Sequence, residues 1–92
     1  MSSLDSDIDA NRPMEATCDE TGLRVSLADG RVIMTPLWWY PSLLHASPAQ
    51  RSHMQLMVTG IHWPQLDEDI SIAGMLKGWK HPDAQPPAEA AE

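Results

Sequence analysis

Apolar and polar positions alternate most cleanly at Leu23-Arg24-Val25-Ser26-Leu27, the two-residue period of a half-buried strand. Asp29-Gly30 follows, a strong short hairpin signal, and Arg31 to Thr35 reads as the returning strand. A two-residue loop there sets Ala28 opposite Arg31, Leu27 opposite Val32 and Val25 opposite Met34. One sheet face then carries Leu23, Val25, Leu27, Val32 and Met34. The other carries Arg24, Ser26, Arg31 and Thr35, interrupted only by Ile33. A slip of one residue would turn every side chain of the returning strand over. Ahead of the hairpin, Met14 to Cys18 predicts a first strand and Asp19-Glu20-Thr21-Gly22 a turn.

Beyond Pro36, Leu37 to Ala46 reads as one short helix with Pro41 in its first turn, where a missing N–H costs little. Ser47-Pro48-Ala49-Gln50 spells a capping box for a second helix that runs to about His53 or Met54. Gln55 to Thr59, with Leu56, Met57 and Val58, predicts a strand that Gly60 ends. Ile61 to Leu66 reads as a loop or irregular extended segment. Ser71 is a good N-cap for a last helix over Ile72 to Lys77, with Gly78 as its stop and Lys77 well placed against the dipole. These elements predict an α+β domain over residues 13–79. Its architecture is a small antiparallel β-meander or hairpin sheet covered on one face by two or three short helices.

The chain has 92 residues, enough for one domain. Its 42% hydrophobic and 21% charged residues are those of a folded globular protein. No apolar run approaches the roughly 20 residues of a membrane helix. Met1 to Asn11 is rich in Ser and Asp, without the basic-then-apolar build of a secretory signal, so a cytoplasmic location is expected. The acidic residues 1–12 and the Pro/Ala/Glu-rich residues 80–92 lack apolar patterning and are expected to be disordered tails. The remaining core is small enough that only about 60% of the unfolded surface is buried and stability is marginal. With four Trp, one Tyr and no Phe, that core is expected to rest on indoles and to gain from a partner. Six Lys and Arg against 13 Asp and Glu give a net charge of −7. That balance disfavours direct nucleic-acid binding and suits a basic protein partner. One cysteine, Cys18, can make neither an internal disulfide nor a multi-cysteine zinc site.

Few residues group into recognisable chemistry. Trp38 and Trp39, beside Tyr40, suit either an interaction surface or the core. Adjacent helical residues point about 100° apart, so both cannot bury equally well, and at least one is expected in the core. Trp63 beside Pro64 is a rigid aromatic corner that either packs over the helix–sheet seam or forms part of a surface. Asp67-Glu68-Asp69 with His62 has the donor types of a metal site. Three acids in a row do not converge on one point, however, and no second acidic cluster completes a site. The run is expected to be helix N-terminal charge, with a recognition loop for a basic partner as the alternative. No metal and no cofactor is expected. His45, His53 and His81 show no ligand spacing, and Ser42, Ser47 and Ser71 have no readable triad. Cys18 lacks basic neighbours and reads as an inert thiol. The six methionines are most simply core filler. No catalytic residue emerges, so an enzyme is not expected.

Two blocks carry a resemblance. They are Pro36-Leu37-Trp38-Trp39-Tyr40-Pro41-Ser42-Leu43-Leu44-His45-Ala46 and Gly60-Ile61-His62-Trp63-Pro64-Gln65-Leu66-Asp67-Glu68-Asp69-Ile70-Ser71. With the Asp29-Gly30 hairpin they resemble the bacterial family called domain of unknown function 2442, over roughly Glu15 to Gly78. The resemblance implies a small α+β domain with no assigned enzymatic activity. Some members look like one half of a two-gene toxin–antitoxin-type pair, and others carry a fused helix-turn-helix domain. The stretch after Trp79 is not expected to fold as such a domain. The expected function is a protein-interaction domain, the antitoxin-like half of such a pair, with a small basic partner encoded by an adjacent gene. Its interaction residues would be drawn from Trp38, Trp39, His62, Trp63, Asp67, Glu68 and Asp69. A homodimer also fits. The alternative is an accessory transcription regulator acting through a DNA-binding partner, with Arg24 and Arg31 as its electrostatic support.

Overall fold

The hairpin turn decides the first sheet. In the computed structural model, which describes residues 10–87, strands β1 (Pro13–Asp19), β2 (Gly22–Leu27) and β3 (Val32–Thr35) form an antiparallel meander. The β2–β3 connection is longer than the expected two residues. Leu27 N–H donates to the Arg31 carbonyl at 2.8 Å, and Gly30 N–H donates to the Leu27 carbonyl at 3.0 Å. Ala28, Asp29 and Gly30 are therefore the loop, with Gly30 at φ 96° supplying the left-handed residue that such a turn requires. The Asp29 carboxylate accepts from Arg31 N–H at 3.0 Å and from Arg31 Nε at 2.7 Å, which favours this wider turn. The register moves by one: Val25 faces Ile33 and Leu23 faces Thr35. Ile33 and Thr35 turn inward, while Val32 and Met34 turn outward at 50% and 54% exposure. The expected faces of β3 are thereby reversed.

The expected helix over residues 37–46 is two pieces. Leu37–Trp39 form a 3-10 turn and α1 spans Pro41–Leu44. Tyr40, held at φ −130° and ψ 89°, breaks them apart, because a residue before proline is kept out of the helical region. Helix α2 (Pro48–Ser52) starts at the expected capping box, with Ser47 Oγ accepting from Gln50 N–H and the Gln50 side chain accepting from Ser47 N–H.

The segment beyond α2 supplies a second antiparallel sheet, ordered β4 (Gln55–Leu56), β5 (Gly60–Trp63), β6 (Glu68–Ser71). The expected strand at 55–59 is only two residues long, and the expected loop over 61–66 is instead the central strand and the turn after it. Gly60 opens β5 rather than ending a strand. A Cβ there would stand 2.5 Å from the Ile70 carbonyl oxygen, so only glycine lets β5 and β6 approach. Helix α3 (Ile72–Lys77) has the expected limits, with Ser71 Oγ capping Gly74 N–H and Gly78 closing it in the left-handed conformation.

One core draws on both sheets. Leu23, Val25 and Leu27 of β2 share it with Ile61 and Trp63 of β5, Ile70 of β6, Leu43 of α1, and Ile72 and Met75 of α3. The tail boundaries at 12 and 80 fall within hydrogen-bonded chain. Arg12 and Ala10 carbonyls accept from the Ala28 and Asp29 amides, and His81 N–H donates to the Trp39 carbonyl at 2.9 Å. The rest of the two expected tails, residues 1–9 and 88–92, lies outside the described residues.

The reversed register has a direct check. Ile33→Ala should destabilise by about 1–3 kcal/mol, and Val32→Ala or Met34→Ala by no more than about 0.5 kcal/mol. Urea unfolding followed by tryptophan fluorescence reads the difference. The opposite order would restore the two-residue loop.

Candidate functional site

The residues singled out in the sequence do not gather in one place. Trp63 is fully buried, and its indole Nε1 donates to the Arg51 carbonyl at 3.0 Å, so it is core and not surface. Trp38 and Trp39 are both half-buried and meet edge to face with centroids 6.3 Å apart. Trp39 in turn stands edge-on to Tyr40 at 6.2 Å and lies beneath the Lys80 ammonium, 4.5 Å from its ring centroid.

The acidic run is a turn and a strand, which corrects its reading as a helix start. Asp67 sits in the turn at φ 50°, and Glu68 and Asp69 belong to β6. Successive strand side chains point to opposite faces. Glu68 accordingly faces α1 and accepts from Ser42 Oγ at 2.6 Å. Asp69 faces the other way and meets His62 Nδ1 across β5 at 2.7 Å. Each acid is thus engaged separately, and among the described residues no three His, Cys, Asp or Glu side chains could hold one metal ion. On the first hairpin, Arg31 is committed to Asp29 and to the Asn11 side-chain oxygen, and the shifted register takes it off the face that carries Arg24.

Two groups are displaced in pKa by burial. Burial pushes the Cys18 thiol up to about 11, with the Arg51 guanidinium opposing and Asp19 reinforcing. Burial also raises the Tyr40 phenol, opposed by the Thr35 hydroxyl and reinforced by Glu68. The Tyr40 and Thr35 hydroxyls are both buried, and neither has a hydrogen bond of good geometry. Arg51 is thus a basic neighbour that the sequence did not reveal, but burial outweighs it and leaves Cys18 a protonated, unactivated thiol.

A run of exposed apolar side chains lies elsewhere, where β1 of the first sheet runs beside β4 of the second. Met14, Leu56, Met57 and Val58 stand there at 56%, 41%, 52% and 52% exposure. The β4–β5 connection, Met57-Val58-Thr59, is pinned at both ends. Met57 N–H donates to the Gly60 carbonyl at 2.8 Å, and the Thr59 carbonyl accepts from Ile72 N–H at 2.9 Å, which ties the tip to the first residue of α3. Two shallow hollows flank it, one floored by Pro13 and Met14, the other by Ile72 and Ala73. Sequence reasoning missed this seam by giving Leu56 to Val58 to a strand and the methionines to the core. The available signal was the uninterrupted run: three successive apolar residues cannot all face one core from a strand.

This architecture places the chain among small α+β domains, and comparison with known proteins narrows the placement. The chain belongs to the family described as protein of unknown function (DUF2442), which matches residues 13–81. No curated protein matches it. The fold is similar to that of a crystal structure of a protein of unknown function from Rhodospirillum rubrum, with 27% identity and a TM-score of 0.69 over 79% of this chain and 93% of that one. It is also similar in fold to an uncharacterised protein from Chromobacterium violaceum, with 20% identity and a TM-score of 0.67 over 78% of this chain and 70% of that one. Among the described residues no helix is long and apolar enough to cross a membrane.

The buried thiol makes stability fall at high pH. A raised acid gives up its proton more readily in the unfolded chain, so its contribution is complete below the ordinary value of 9.0 and is lost as pH rises towards about 11. Urea unfolding at pH 8, 9 and 10 should show this decline for the native sequence. In Cys18→Ala the decline should begin only higher, where Tyr40 titrates. Parallel curves for the two proteins would show that the thiol is not buried as described.

Proposed function

We propose that this domain is a non-catalytic, cytoplasmic protein-interaction module. In this reading it is the antitoxin-like half of a two-protein pair and seats a small basic partner on the seam formed by Met14, Leu56, Met57 and Val58. The observation that carries the reading is the β4–β5 connection, hydrogen-bonded at both ends, which presents the half-exposed apolar side chains of Met57 and Val58. Turns ordinarily carry Gly, Pro, Asn, Asp or Ser. An apolar turn gains nothing in water and contributes when a partner covers it, at about 25 cal/mol per Å² removed from solvent. Unbranched methionine side chains adapt to the relief of such a partner. The chain's net charge of −7 favours a basic partner over direct contact with nucleic acid. The two-gene arrangement that the family resemblance implies directs the search to the product of the adjacent gene.

The test is co-expression with that product. The two proteins should co-purify, and the partner alone should arrest growth unless this chain is present. Met57→Lys combined with Val58→Lys should weaken the complex at least tenfold, about 1.4 kcal/mol, and abolish relief of the arrest without lowering the thermal midpoint. Absence of a complex, or a complex indifferent to the lysine pair, would overturn the proposal.

A further inference from the structure

The opposite edge of the first sheet carries a second open surface. Strand order is β1-β2-β3, so β3 is the edge away from the seam. The Leu27 N–H to Arg31 carbonyl bond sets the ladder's phase: Leu23, Val25 and Leu27 turn their backbone groups toward β3. Hydrogen-bonded and non-hydrogen-bonded pairs alternate from there, so Ile33 and Thr35 face β2 while the N–H and C=O of Val32 and Met34 point outward. The same phase is seen on the other side of β2, where Ala28 N–H reaches the Arg12 carbonyl. Among the described residues no hydrogen bond outside the sheet reaches the backbone of Val32 or Met34.

Edges of natural sheets are usually protected by Lys, Pro, a bulge or a covering element. The β1 edge has a bulge between Pro13 and Glu15 and lies against α2 and β4. β4 is only two residues long. Strand β3, Val32-Ile33-Met34-Thr35, lies near α3 but has no Lys, Pro or bulge and exposes Val32 and Met34 on its outer face.

The geometry points to a second copy of this chain as the occupant of that edge, with two β3 strands antiparallel about a twofold axis at Ile33. The open backbone positions, 32 and 34, are symmetric about residue 33. A twofold there pairs Val32 with the other copy's Met34 and Met34 with its Val32, each pair exchanging both of its hydrogen bonds. The side chains of those residues then pack across the new ladder on one face. Charge agrees. A chain with net charge −7 repels its own copy, and β3 itself carries no carboxylate. Asp29, in the adjoining loop, is paired with Arg31 at 2.7 Å. The first sheets of the two copies thereby become one six-stranded sheet, and the inference does not rest on the seam's role.

Sedimentation velocity over a concentration series, with amide hydrogen exchange read by NMR, tests it. The native chain should pass from monomer to dimer, and the Val32 and Met34 amides should slow as dimer forms. Met34→Pro removes one outward N–H without touching the bonds to β2, and proline is tolerated on an edge. Val32→Lys adds a protecting charge to a half-exposed site. Both should remain monomeric at every concentration with native circular dichroism, whereas Met57→Lys with Val58→Lys should dimerise like the native chain. A native chain that stays monomeric throughout would overturn the inference. So would a dimer that survives both edge variants, or one lost only in the seam variant.

Discussion

Two sheets this small have to be held to each other, and the Trp63–Arg51 contact does it. Trp63 is the largest fully buried side chain. A buried indole must also satisfy its N–H, and Trp63 Nε1 does so on the Arg51 carbonyl. The same Arg51 turns its guanidinium onto the carbonyls of Leu43 and Leu44, both at 2.9 Å, at the end of α1. One residue of α2 therefore receives the centre of the second sheet and satisfies the open end of the preceding helix. Helices of four and five residues have no stability of their own in water. They persist because this contact supplies tertiary partners for the carbonyls that such short helices leave open.

How much was legible depended on whether a signal was local. The capping box at Ser47 and the limits of the last helix, Ser71 to Gly78, are local side-chain chemistry and read correctly. The α+β class followed from these helices together with the alternating strands around Asp29-Gly30. The hairpin at Asp29-Gly30 was legible, but its register was not. Asp-Gly serves both a two-residue and a three-residue loop, and the choice rests on Asp29 accepting from Arg31. One residue of difference then exchanges Met34 for Ile33 in the core. The second sheet was hidden because β5 has only four residues, with half-buried His62 set between buried Ile61 and Trp63. That pattern differs from an irregular segment only once β4 and β6 flank it. The acidic run was misplaced for the same reason. Its split between Ser42 and His62 is set by partners 26 and 7 residues away in sequence.

Exposed apolar residues on such a chain follow from its geometry. A small domain has more surface than its polar residues can cover, so scattered apolar exposure is ordinary. Met14, Leu56, Met57 and Val58 are not scattered. Met14, Leu56 and Met57 line one hollow between the sheets, Val58 lines the next, and hydrogen bonds at both ends fix the connection that carries Met57 and Val58. The junction exists because β1 and β4 are the two sheet edges brought together when Trp63 docks on α2. The constraint that builds the core is thus the one that creates the seam.

The distribution of charge separates the body from its ends. Asp5, Asp7, Asp9, Glu89 and Glu92 account for five of the seven excess negative charges. The intervening residues are close to neutral, and several of their acids are already engaged: Asp29 by Arg31, Glu68 by Ser42 and Asp69 by His62. An interaction at the seam therefore draws its contact energy from apolar burial, which ionic screening does not weaken. Attraction of a basic partner from a distance comes mainly from the acidic ends, and salt screens that within about 8–10 Å at ordinary ionic strength. In the proposed complex the ends would govern how fast a partner arrives, and the seam how long it stays.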